Sequence, residues 1–224
     1  MHPTRIPAHR GGAVTRLQRA ALIALGVHLL GGLSMAFVLG RGLETNPDLH
    51  DRMAFLVNHR MLWTFAWLTW TVAGPAILYF YMALCDAHPS SPKIAVFFTV
   101  AALAPDLAGQ AIEIGVLPGV TSPELFLTLS RTATMLSGYL ANGLYSLTAL
   151  VLVWTCRVVY PRWVSVSGFT VGVVGFALSV AVLMESVRGM FWTNVVLVPA
   201  LLVWLGGVAY AEGIFETSAI STRR

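Results

Sequence analysis

Six apolar runs, each long enough to cross a hydrocarbon layer about 30 Å thick, take up most of this chain. They cover residues 20–39, 61–84, 94–117, 130–156, 164–184 and 194–211, and the segments between them are short. Only 11% of the 224 residues are charged, against 57% hydrophobic, and soluble domains carry nearer a quarter charged. Such a chain has too little polar surface to cover a globule in water. The expected fold is all-α: a polytopic membrane protein, a single bundle of six transmembrane helices, with a basic arm at 1–19 and a tail at 212–224.

The third run constrains the interior most. KIAVFFTVAALAPDLAGQAIEIGVLP, residues 93–118, is apolar enough to cross a bilayer yet carries Asp106, Gln110 and Glu113 inside it. At i, i+4 and i+7 these three share one helical face. A carboxylate at the centre of a membrane helix costs about 2.5–3.5 kcal/mol on insertion scales, so it needs a partner, a proton or water. The fourth helix begins at Ser122-Pro123-Glu124, a capping hydroxyl followed by proline and an early acid. It carries its own polar stripe, including Arg131, Thr134, Asn142 and Tyr145. Counting register about the GVTS loop at 119–122 places Arg131 between the levels of Asp106 and Glu113, as a counter-ion able to bridge both. The same counting places Asn142 near Thr99. A structural ion network that fixes helix register is the competing reading of these residues.

The remaining candidates have plain packing explanations beside the functional ones. His28, in the first run, is either a proton relay or a neutral imidazole donating to backbone. His59 precedes Trp63, Trp67 and Trp70, a ladder that either stacks a flat apolar ligand or packs helices. Trp63 fits an interfacial belt. Gly168 and Gly172 form a small-xxx-small surface, either for packing inside the bundle or for a homo-oligomer or partner membrane protein. Glu185 and Arg188 read as a surface pair, and a short amphipathic helix is expected around Leu49–Asn58 in the polar connection 40–60. Cys85 and Cys156 read as free thiols.

Charge sets the expected orientation. Arg5, Arg10, Arg16, Arg19, Lys93, Arg157, Arg162, Arg223 and Arg224 fall on one side and Arg41, Arg52, Arg60 and Arg188 on the other. The excess places both termini in the cytoplasm. A net charge of +4, scattered at segment ends, points to anionic lipid rather than nucleic acid. No Gly-rich phosphate loop, HExxH or GxSxG motif is present, and Lys93 is the only lysine. No cofactor and no metal are expected.

Residues 157–184 and 194–209 resemble a broad group of uncharacterised bacterial six-helix integral membrane proteins, a domain of unknown function. The likeness rests on Pro161-Arg162-Trp163, Gly168, Pro199, Trp204 and Gly206. It implies the helix count and a bacterial cytoplasmic (inner) membrane, and no activity. Three functions stay open: binding or translocation of a small solute, ion or proton at the acidic site; an enzyme acting on a lipid or isoprenoid; and a non-catalytic accessory or lipid-binding subunit.

Overall fold

A computed structural model describes residues 14–88 and 90–221, with side chains to 214. The arm 1–13, with Arg5 and Arg10, and the terminal Arg223 and Arg224 lie outside the described residues. Eight α-helices are present among the described residues: α1 (Arg16–Phe37), α2 (Leu49–Asn58), α3 (Arg60–Ala87), α4 (Ile94–Ala111), α5 (Pro123–Thr134), α6 (Asn142–Cys156), α7 (Arg162–Leu183) and α8 (Val187–Ser221). No strand occurs among the described residues. Six helical stretches are long and apolar enough to cross a membrane. The last of these begins at Val187 rather than Asn194, and α8 runs on past Ala211 into the expected tail.

Local chemistry fixes the starts. Ser122 accepts from the Leu125 amide at 3.2 Å with Pro123 at the first helical position, and Asp48 accepts from the Asp51 amide at 3.0 Å. Both satisfy amide donors that a helix N-terminus leaves unpaired. Two π-helical segments, Ile112–Val116 after α4 and Met135–Ala141 between α5 and α6, interrupt the third and fourth spans. Each adds residues per turn and rotates the faces that follow, and such segments often sit at functional positions.

The long helices close a ring: α1 packs on α3, α3 on α4, α4 on α6 and its π-helical entry, α6 on α7, α7 on α8, and α8 on α1. Two apolar cores fill its ends. One gathers Phe80, Tyr81, Leu84, Leu152, Trp204 and Leu205, with the Phe80 and Trp204 rings edge-on at 5.4 Å. The other gathers Leu39, Phe55, Leu56, Trp63, Leu117 and Phe126 beneath α2. Polar side chains occupy the level between them. The outer wall is apolar, with Leu30, Phe65, Phe97, Val173 and Val203 all exposed, a pattern that water alone does not favour.

Glycines set the close approaches. A Cβ on Gly168 would press on Val153 and, at 2.9 Å, on the Trp204 indole, while one on Gly172 would fall on Leu150. The small-residue surface of α7 is therefore occupied within the chain by α6 and α8.

Candidate functional site

Asp106 sits on α4 in the polar level between the cores. Its Oδ1 accepts from Gln110 Nε2 at 3.0 Å, one turn along the same helix, and its Oδ2 accepts from Tyr145 Oη at 3.1 Å across the seam with α6. Gly74 on α3 makes room: a Cβ there would meet Leu103 at 2.8 Å, Tyr145 Oη at 3.2 Å and Asp106 Oδ2 at 3.4 Å. Pro75 and Pro105 lie beside these contacts, and each removes one helical amide donor from the ladder. Among the described residues no basic side chain pairs with Asp106. Gln110 is buried, and its Oε1 has no hydrogen-bond partner among the described residues. The indole N–H groups of Trp67 and Trp70 are likewise buried and unpaired. Leaving such groups without a partner costs about 1–3 kcal/mol each.

Arg131 requires a correction. It does not bridge Asp106 and Glu113; its Nη2 lies 3.2 Å from Glu185 Oε2 at the α7–α8 turn, with both side chains about two-thirds exposed. The expected Glu185–Arg188 pair is replaced by this one. The reason is the π-helical turn at 112–116, which rotates the chain between Asp106 and Arg131 away from the register that straight α-helices predict. Asn142 is displaced for a similar reason. Its Nδ2 donates to Gly175 O at 2.6 Å and Ser179 Oγ at 3.1 Å on α7, while Thr99 donates to Thr148. Of the six residues expected to line one cavity, Asp106, Gln110 and Tyr145 are joined by hydrogen bonds. Glu113, Arg131 and Asn142 are directed elsewhere.

Among the described residues the buried cation is Arg52 of α2, whose side chain is 6% exposed. Its Nε donates to Gly42 O and its Nη2 to Ser130 Oγ, each at 3.0 Å, and Nη2 lies 3.8 Å from Glu44 Oε1. Glu44 Oε1 also accepts from Ser130 Oγ at 2.7 Å and Thr134 Oγ1 at 3.0 Å. Glu113 is buried, and its backbone carbonyl accepts from Trp63 Nε1. Glu44, Arg52, Ser130 and Thr134 form the floor of a cavity of about 250 Å³, with Arg131 and Glu185 at its rim. Sequence reasoning expected the amphipathic helix at Leu49–Asn58 but missed the pairing of its Arg52 with Glu44. The signal was present, since Arg52, Phe55 and Leu56 recur at i, i+3 and i+4 on the buried face of α2.

The secondary candidates each have packing contacts of their own. His28 is buried, its Nδ1 lies 2.8 Å from Ala24 O, and its ring meets Trp70 edge-on. His59 is exposed between α2 and α3, against Phe55. Trp63 is fully buried, and its Nε1 donates to Glu113 O at 2.8 Å. Trp67 stacks edge-on against Trp63 in the core beneath α2. Both cysteines are buried free thiols. No cluster of His, Cys, Asp and Glu suited to a metal occurs among the described residues.

A second polar chain closes the opposite end of the ring. Tyr160 Oη donates to Glu212 Oε1 at 3.1 Å, so its oxygen must accept from His88 Nε2, 2.7 Å away. Burial lowers the His88 pKa from its ordinary 6.5 and raises that of Tyr160. A histidine whose folded pKa lies below its unfolded one stabilises the fold fully above pH 6.5, and that stability drains as pH falls toward the folded value. Thermal denaturation in detergent is expected to show a falling midpoint below pH 6.5. His88→Gln, which keeps a donor for Tyr160, removes that component of the slope; an identical slope in the variant contradicts the assignment.

Comparison with family models, curated proteins and solved structures returned no match.

Proposed function

We propose that this chain is a multi-pass integral membrane protein of the bacterial cytoplasmic membrane, with both termini in the cytoplasm, that binds and translocates a proton or small cation at Asp106. One observation carries the reading: Asp106 is held between α4 and α6 by two neutral donors, Gln110 and Tyr145, with no basic partner among the described residues. A carboxylate so placed in hydrocarbon is balanced by a proton or a cation taken from outside the protein. Gln110 Oε1 supplies a spare acceptor beside it.

In the proposed cycle Asp106 is the exchanging group. When it is neutral, the Gln110 and Tyr145 donors lose their charge-assisted acceptor, and the α4–α6 seam loosens. When it is charged, both bonds tighten and the seam closes. The prolines in α3 and α4 give the adjoining turns freedom to move. Arg131 has no part in this cycle, because its partner is Glu185.

Purified protein in proteoliposomes is expected to take up protons or a small cation down an imposed gradient. Asp106→Asn, nearly the same shape without the charge, is expected to lower the rate at least tenfold while the protein stays folded. Tyr145→Phe is expected to slow uptake without abolishing it. Wild-type flux in Asp106→Asn sinks the reading. Loss of folded protein in both variants assigns these residues to a structural network instead.

A further inference from the structure

We propose that the cavity between α5 and the α7–α8 turn binds the headgroup of a zwitterionic phospholipid, one carrying both a phosphate and an amine. The inference rests on the reading of the chain as a membrane protein, and not on the Asp106 site.

The cavity has two different walls. Its floor and rim alternate in sign: Arg52 and Glu44 below, Arg131 and Glu185 above. Leu127 of α5, with Val187 and Met190 of α8, supplies an apolar side. Leu127 and Val187 are exposed on the outer wall of the ring, so the cavity adjoins the surface that acyl chains would cover. The site lies at the α7–α8 end of the helices, which in the membrane reading proposed above is the end nearest the headgroups.

The charges sort the ligand. Arg131 is two-thirds exposed and engages one carboxylate oxygen, which leaves most of its donor fork for a phosphate. Glu44 is held by Ser130, Thr134 and Arg52, all through Oε1. Its Oε2 is the acceptor left for an ammonium. A purely anionic headgroup would set its charge against Glu44 and Glu185 with no amine to offset them, and a purely cationic one would meet Arg52 and Arg131. A ligand of both signs satisfies the set. The volume of about 250 Å³ is smaller than the roughly 300–1,000 Å³ of drug-sized pockets, as suits a headgroup whose chains stay outside. Glu185 adds an independent mark. It is the one non-glycine residue among those described with a left-handed backbone, φ 51°, and such strain collects at ligand clamps.

The test uses the full-length detergent-purified protein and native mass spectrometry, with phosphatidylethanolamine and phosphatidylglycerol of identical chains. Phosphatidylethanolamine is expected to be retained at least tenfold more strongly. Arg131→Gln, an exposed substitution, and Glu44→Gln, which keeps the hydroxyl bonds, are each expected to erase that preference. Equal retention of the two lipids overturns the proposal, as does a preference that survives both variants. Free phosphoethanolamine is expected not to compete at lipid concentrations; full competition by it overturns the assignment to a lipid. The readout is lipid retention and not flux, so failure here is separable from failure of the Asp106 site.

Discussion

Arg52→Met is expected to lower unfolding stability by about 3 kcal/mol, the low end of the 3–5 kcal/mol typical when one member of a buried ion pair is removed. The guanidinium lies beneath α2 with two nitrogens committed to Gly42 O and Ser130 Oγ, and it sits over the Phe126 ring at 5.4 Å. Methionine keeps much of the packing and loses every one of those donors. What remains is worse than a gap: the Glu44 carboxylate keeps its Ser130 and Thr134 hydroxyl donors but has lost the cation beside it. The low end applies because Glu44 is 23% exposed and water screens part of the uncompensated charge. Arg52→Met with Glu44→Met is expected to recover most of the loss, since an apolar pair of similar volume is often neutral in place of a buried ion pair. Urea or SDS unfolding of the single and double variants measures both terms. A double variant no more stable than Arg52→Met would show that the loss came from packing rather than charge.

Arg52 also shows where the sequence was legible and where it was not. Hydropathy located six long apolar helices, because twenty apolar residues in a row have few alternatives. The α2 helix was readable from its amphipathic spacing, and the α5 start from Ser122-Pro123. Asp106 and Gln110 were readable as neighbours because i, i+4 geometry is local. Register between helices was not. Counting along straight α-helices put Arg131 beside Asp106 and Asn142 beside Thr99, whereas one extra residue in a turn rotates everything beyond it by about 100°. The π-helical segments at 112–116 and 135–141 do this twice in one hairpin, and no residue type announces them. Tyr145 reaches Asp106 all the same, across close helix approaches at Gly74 and Gly109 that depend on three-dimensional packing. The Glu44–Arg52–Ser130 group was invisible for another reason, since it joins residues far apart in the chain.

Glycine substitutions separate residues that set helix contacts from residues that merely populate helices. Gly168→Ala is expected to destabilise the protein by about 1–3 kcal/mol, the usual range for overpacking a filled core. Its new methyl would meet Val153, a β-branched side chain with little rotamer freedom, and the Trp204 indole. Trp204 is nearly fully buried and packs edge-on against Phe80, so displacing it disturbs the plug that closes one end of the ring. Gly26→Ala is the matched control. Nothing lies within 4 Å of where its Cβ would sit, and alanine in a helix interior is favoured over glycine by about 0.5–1 kcal/mol. The two variants make the same chemical change in two transmembrane-length helices, and their effects are expected to have opposite signs. Thermal or SDS unfolding in one detergent reads the difference directly. A stable Gly168→Ala protein would mean that α7 does not approach α6 and α8 as closely as described, and that its glycine face is open for a partner after all.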